Sequence, residues 1–179
     1  KNIVSILASN NCSSIGLCGA DANIIQAHKR VNASLDFGFV GDVDNIDTAR
    51  LSGLLETGLT VVMAPITHDG KGQLLNTNAD TIAQEIAKAM SDHYLTTLIY
   101  CFEKSGVLLD AEDENTLIPM IDPDAFKKLK SEQKIFAGMI PKLENAFKAL
   151  ESGVHKVVIG NAEEWDQLIA GKSGTTISL

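Results

Sequence analysis

Three short apolar runs constrain this chain more than any other feature: Thr60-Val61-Val62-Met63-Ala64, Leu95 to Phe102, and Val154 to Ile159. Continuous apolar runs of this length read as strands buried on both faces, the habit of parallel sheets. Between them the apolar residues recur at helical spacing. Ile82, Ala83, Ile86, Ala87 and Met90 share one face of a helix opened by Asp80. Leu143, Ala146, Phe147 and Leu150 share one face of another, with Pro141 in its first turn and Gly153 at its end. Strand, helix, strand, helix predicts an α/β fold. The expected architecture is a three-layer sandwich, with helices on both faces of a mainly parallel central sheet.

The remaining elements are shorter. Lys1 to Asn10 reads as a helix, and Ile15–Cys18, Asn23–His28 and Leu35–Val40 as extended pieces forming a β-hairpin edge. Asn45 or Asp47 caps a helix carrying Ile46, Leu51, Leu54 and Leu55, which stops at Gly58. Asp69-Gly70-Lys71-Gly72 is a turn. Asp124–Gln133 and Ala162–Ala170 read as helices, and Thr175–Leu179 as a closing strand. The break at Ser91-Asp92-His93 divides residues 1–93, with hairpins, from residues 94–179, without them. The chain opens at Lys1 inside a run that reads as the middle of an apolar-faced helix, so a further N-terminal piece is expected.

Composition removes several function classes. Fifteen Lys and Arg against 23 Asp and Glu give a net charge of −8, and no basic run exists, which argues against nucleic acid as a partner. The longest mostly apolar stretch, from Tyr94 to Phe102, is about half a membrane span, so no membrane partner is expected. Three scattered cysteines, Cys12, Cys18 and Cys101, make neither a disulfide framework nor a C-x-x-C zinc pair, and fit a reducing, cytoplasmic setting. The four histidines lack metal-ligand spacing, so no protein-bound metal site is expected. No G-x-S-x-G elbow is present, and Gly171-Lys172-Ser173 lacks the upstream glycine of a phosphate-binding loop.

In a parallel sheet, ligands gather at the C-terminal ends of strands, beside helix N-termini. Three stretches fall there. Asn76-Thr77-Asn78-Ala79-Asp80 brings short polar side chains to a helix start, where Asn78 or Asp80 can equally serve as a simple cap. Glu103-Lys104-Ser105-Gly106-Val107-Leu108 follows an apolar strand, as a ligand loop or a structural one. Gly138-Met139-Ile140-Pro141-Lys142 places a cation in the first turn of a helix, against the dipole. A bound anion would compensate; otherwise Lys142 is a solvated surface lysine.

These segments occur in order with Phe37-Gly38-Phe39-Val40-Gly41-Asp42-Val43, Ala64-Pro65-Ile66, Asp69-Gly70-Lys71-Gly72-Gln73 and Gly174-Thr175-Thr176-Ile177. Together they resemble the amino-acid kinase family over essentially the whole chain, and within it the branch that acts on N-acetyl-L-glutamate. The resemblance implies transfer of the γ-phosphoryl group of ATP, with Mg2+ bound mainly through the nucleotide, to a side-chain carboxylate in arginine biosynthesis. It implies that residues 1–93 are the remainder of an acylglutamate-binding domain and residues 94–179 a nucleotide-binding domain. Asn76 and Asn78 would contact the N-acyl-L-glutamate, Asp80 would organise catalytic lysines, and Lys142 would neutralise the transferring phosphoryl group. Glu103, Lys104, Ser105, Gly106, Val107, Leu108, Lys134, Ile135 and Phe136 would line the nucleotide. A cytoplasmic homo-oligomer is implied as well. The family's K-x-G-G turn, G-G-G loop and substrate-binding arginine have no counterpart here, so the stretch resembles the C-terminal two-thirds of a member and by itself is expected to catalyse little. The acyl group, acetyl or a larger one such as succinyl, stays open, because the Gly16–Asp21 hairpin is variant. Another member of the family, such as a uridylate or aspartate kinase, and a non-catalytic module that keeps the fold are the alternatives.

Overall fold

A computed structural model describes residues 1–135 and 138–179. They divide into two compact units, Lys1–Glu85 and Ile86–Leu179.

In the first unit, helix α1 (Asn2–Ser9) leads into strand β1 (Ser14–Cys18), and a 3-10 turn at Asp21–Asn23 into β2 (Ile25–Lys29). Strand β3 (Gly41–Ile46), helix α2 (Thr48–Glu56) and strands β4 (Thr60–Ala64), β5 (Ile66–His68) and β6 (Leu74–Asn76) follow. Helix α3 (Ala79–Ser91) starts here, and its last turns belong to the second unit. β1 and β4 form a parallel pair, while β3-β2-β5-β6 make a four-stranded mixed sheet. Within that sheet β2–β3 and β5–β6 are antiparallel.

Two expectations are corrected in this unit. The strand placed at Leu35–Val40 lies later, at Gly41–Ile46, because only that register pairs Ile46 with the fully buried Ile25. Leu35 and Phe39 point instead to solvent, 57% and 60% exposed. The Thr60–Ala64 run is a strand, but not one buried on both faces. β4 has a single partner, β1, and its residues are half-buried or exposed. The cap of α2 is Asp47, whose Oδ1 accepts from the Arg50 N–H at 2.9 Å.

The second unit contains β7 (Thr97–Phe102), a 3-10 turn at Glu114–Thr116, β8 (Met120–Ile121) and α4 (Pro123–Ser131). Then come α5 (Met139–Glu151), β9 (Lys156–Asn161), α6 (Trp165–Ala170) and β10 (Thr175–Ile177). The sheet order is β7-β9-β10-β8, with β7–β9 and β10–β8 parallel and β9–β10 antiparallel. β9 is central, and Val157, Val158 and Ile159 are fully buried. Leu143 and Ala146 of α5 and Leu168 of α6 are fully buried too. Phe147 of α5 meets Phe126 of α4 with ring centroids 5.4 Å apart.

β7 departs from expectation. It is an edge strand in which Leu98 and Tyr100 are buried while Thr97 and Cys101 are exposed, so one face alone is covered. The two units together make a mixed α/β fold with parallel strand pairs, its strands shared among one two-stranded and two four-stranded sheets.

Candidate functional site

The second unit holds a cavity of about 600 Å³ beside the C-terminal end of β7 and the N-terminal end of α5. Its apolar lining is Phe102, Val107, Leu108, Ala111, Ile135 and Met139; its polar side chains are Glu103, Lys104, Glu112 and Lys142; Gly106 and Gly138 complete it. Polyphosphate chemistry suits this composition: an apolar wall for a ring, with two ammonium groups and a helix N-terminus for anionic oxygens.

Local chemistry explains the geometry. After Phe102 the chain crosses the ends of β9 and β10, and the Asn161 side-chain amide donates to the Glu103 carbonyl at 3.3 Å. Gly106 is needed because a Cβ there would lie 2.5 Å from Leu117 Cδ1 and 2.6 Å from Thr175 Oγ1. The next N–H, of Val107, donates to Thr175 Oγ1 at 2.8 Å, and that hydroxyl donates onward to the Ile118 carbonyl at 2.7 Å. Thr175 is fully buried. The chain then turns through Asp110–Asn115 and returns alongside itself, with Ile118 N–H donating to the Val107 carbonyl at 2.9 Å.

Lys142 is the fourth residue of α5 and lines the cavity. Its ammonium lies 4.7 Å from the centroid of the buried Tyr100 ring. This cation–π contact answers in part the question raised by a cation near a helix N-terminus. Gly138, the cap residue of α5, offers no side-chain acceptor to the first-turn N–H groups.

Of the residues expected at a nucleotide, Glu103, Lys104, Gly106, Val107, Leu108 and Ile135 line this cavity. Ser105 and Lys134 do not. Ser105 bonds Glu114 through both its N–H, at 3.2 Å, and its hydroxyl. Lys134 pairs with Glu132 Oε2 at 2.8 Å, on the exposed surface. That pairing also holds the Glu132 carboxyl below its usual range. Phe136 lies outside the described residues. Phe102, Ala111, Glu112, Gly138 and Met139 are lining residues that sequence reasoning did not assign. Gly138 and Met139 stand in the same G-M-x-P-K string as Lys142, and Ala111 and Glu112 follow closely on Leu108, so proximity to those segments was the available signal.

The first unit carries the Asn76–Asp80 stretch. Asn76 ends β6 and its N–H donates to the Phe39 carbonyl at 2.7 Å. Thr77 is buried; its hydroxyl donates to the Gly41 carbonyl at 3.1 Å and lies 2.9 Å from the Thr67 hydroxyl. Because each hydroxyl carries one proton, Thr67 must donate to Thr77. Gly41 closes this knot: a Cβ there would sit 2.8 Å from both Leu75 Cβ and Thr77 Oγ1. Buried Thr77 thereby leaves Asn76 and Asn78 exposed on either side of it. Asn78 is a cap, its Oδ1 accepting from the Thr81 N–H at 3.1 Å. Asp80 stands half-buried in the first turn of α3, where a carboxylate suits the helix dipole. The nearby Asp69 shapes the β5–β6 turn by accepting from Lys71 and Gln73 N–H groups, which lowers its pKa.

Among the described residues no three His, Cys, Asp or Glu side chains gather to hold a metal, and no helix is long and apolar enough to cross a membrane.

The sequence profile of the amino acid kinase family matches residues 1–161. The chain is 52% identical over 159 residues to an acetylglutamate kinase of Phocaeicola vulgatus, covering 89% of this chain and 62% of the relative. It is 51% identical over 170 residues to an acetylglutamate kinase of Cytophaga hutchinsonii, covering 94% and 64%. It therefore spans a little over three-fifths of the length of these relatives. Among solved structures it resembles smu.665 from Streptococcus mutans, with a TM-score of 0.79 at 27% identity over 99% of this chain and 65% of that one. A carbamate kinase from Giardia shares the fold, with a TM-score of 0.67 at 14% identity over 97% of this chain and 66% of that one.

Proposed function

Because this chain belongs to the amino acid kinase family, we propose that it is the nucleotide-binding part, with a portion of the acceptor-binding part, of an ATP-dependent kinase that phosphorylates the side-chain carboxylate of N-acetyl-L-glutamate in arginine biosynthesis. The observation that carries the reading is the cavity at the start of α5, where Lys104 and Lys142 face an apolar wall. Its volume and lining fit an adenosine polyphosphate. ATP supplies the transferable γ-phosphoryl group, and the Mg2+ it needs is carried on its own phosphates.

The chain's residues do the rest. A carboxylate acceptor is already ionised near neutral pH, so no general base is required. The remaining tasks are placement and charge neutralisation. Lys142 supplies an ammonium in the first turn of α5, whose cap residue Gly138 makes no side-chain cap bond. In this reading Asn76 and Asn78 contact the acceptor, and Asp80 organises the amines that neutralise phosphate charge. Residues 94–179 bind the nucleotide and residues 1–93 contribute to the acceptor domain. The enzyme works in the cytoplasm as a homo-oligomer in this reading, as the family resemblance implies.

A coupled ADP-release assay on the intact protein, offered N-acetyl-L-glutamate, aspartate and UMP in turn, tests the assignment. ADP release with N-acetyl-L-glutamate alone is expected. Release with UMP alone overturns it.

A further inference from the structure

We propose that Glu114 is a positioning residue for the nucleotide cavity: its two carboxylate oxygens hold Ser105 and Lys104 and so fix the outer end of the loop that forms the cavity wall. The inference rests on the reading of that cavity as a nucleotide site.

Besides the Asn161 bond to the Glu103 carbonyl, the loop from Phe102 to Val107 has an inner and an outer anchor. The inner one is Thr175, buried and bonded to the Val107 N–H. The outer one is Glu114. Its Oε2 accepts from the Ser105 N–H at 3.2 Å and from the Ser105 hydroxyl at 2.5 Å. Its Oε1 lies 3.9 Å from Lys104 Nζ. The division of labour is chemical, because one oxygen fixes a backbone position and the other aims a cation. These bonds from Ser105 hold the Glu114 carboxyl below its usual range, so it is ionised at neutral pH.

Two neighbouring acids, Asp110 and Asp113, are occupied locally. Asp110 Oδ1 accepts from the Glu112 N–H at 3.0 Å, and Asp113 Oδ1 from the Asn115 N–H at 2.9 Å. Both close their own turns, and in doing so they set the Glu114–Thr116 turn from which Glu114 reaches back to Ser105. The Lys104 pair is half-exposed on both sides, so its direct attraction is small. The charge-assisted bonds to Ser105 are the stronger part of the clamp. Its function is to keep Lys104, a lining residue, beside an incoming polyanion.

ATP titrated calorimetrically into the intact protein, with magnesium present, tests this. E114A is expected to weaken ATP binding about tenfold, the equivalent of losing one hydrogen bond to a charged group. Its melting temperature is expected to fall by no more than a few degrees, since Glu114 is exposed. E114Q, which keeps an acceptor for Ser105, recovers most of the affinity. S105A alone weakens binding, but in the E114A background it adds nothing, because both changes break the same contact. Wild-type affinity in E114A, full additivity of the two losses, or E114Q no better than E114A overturns the proposal. Failure of the wild-type protein to bind ATP at all overturns instead the cavity assignment beneath it.

Discussion

Thr175→Val removes one oxygen and keeps the shape of the side chain, so it isolates the inner anchor of the cavity wall. In the wild type the Thr175 hydroxyl, fully buried, accepts from Val107 N–H at 2.8 Å and donates to the Ile118 carbonyl at 2.7 Å. Valine fills the same space and opens no cavity. What changes is that the N–H of Val107, a residue only 1% exposed, loses its partner. Leaving a buried donor unpaired costs roughly 1–3 kcal/mol. The Ile118 carbonyl adds less, because Ile118 is only half-buried and its oxygen can turn to water. A destabilisation of about 2 kcal/mol follows, or roughly 4–8 °C in melting temperature for a chain of this size.

Thr175→Ser is the control. It keeps both hydrogen bonds and loses one methyl group, worth about 1 kcal/mol. Urea unfolding followed by the fluorescence of Trp165 reads both variants, because Trp165 is the chain's one tryptophan and lies in the same unit as Thr175. The valine variant should have a lower midpoint than the serine variant, with the slope unchanged. It should also bind ATP more weakly, since Gly106 and Val107 are wall residues. A valine variant with the wild-type midpoint, or a serine variant that loses as much, would refute the argument from the unpaired donor.

Lys142→Ala in the intact enzyme should lower kcat by on the order of 10²–10³ with a smaller effect on KM, as a contact made mainly in the transition state requires; steady-state kinetics showing undiminished turnover would remove Lys142 from the chemistry. Asn78→Ala should destabilise the protein by about 1 kcal/mol through loss of the α3 cap, and Asn78→Ser should restore it; an acceptor KM raised in the stable serine variant assigns Asn78 a substrate contact, and an unchanged one makes it a cap only. Acid should destabilise the first unit through Asp42, whose carboxyl the Arg30 guanidinium holds below its usual range. A lowered folded pKa means that the unfolded state binds the proton more tightly, so this stability is present above about pH 4 and is lost as pH falls through the folded value. Asp42→Asn should flatten the low-pH fall in the denaturation midpoint followed by circular dichroism.

What the sequence revealed depended on how local the determinant was. β9 was legible as a buried strand because it is flanked on both sides and covered on both faces, so every residue from Val157 to Ile159 had to be apolar. The same kind of run misled at β4 and β7, because apolar content does not report how many partners a strand has. Leu35–Val40 misled for a related reason: its apolar residues end in solvent, and the register of β2 chose the more polar Gly41–Ile46 instead. Loop 103–108 and Lys142 were picked out because strand ends and helix starts are where α/β folds place ligands, and Lys142 and five residues of that loop line one cavity. The anchors of that loop were not. Thr175 is 68 residues from Val107, and nothing in the string of either residue announces the bond.

Lys142 shows how function and local energetics meet at this site. A cation near a helix N-terminus is unfavourable by about 0.3–1 kcal/mol. Its contact with the Tyr100 ring, at 4.7 Å, returns a similar amount, about 0.5–1 kcal/mol or more where water is excluded. The two effects are of similar size and opposite sign. An anion in the cavity changes that balance, because it meets the ammonium and the first-turn N–H groups of α5 together, and both attract it.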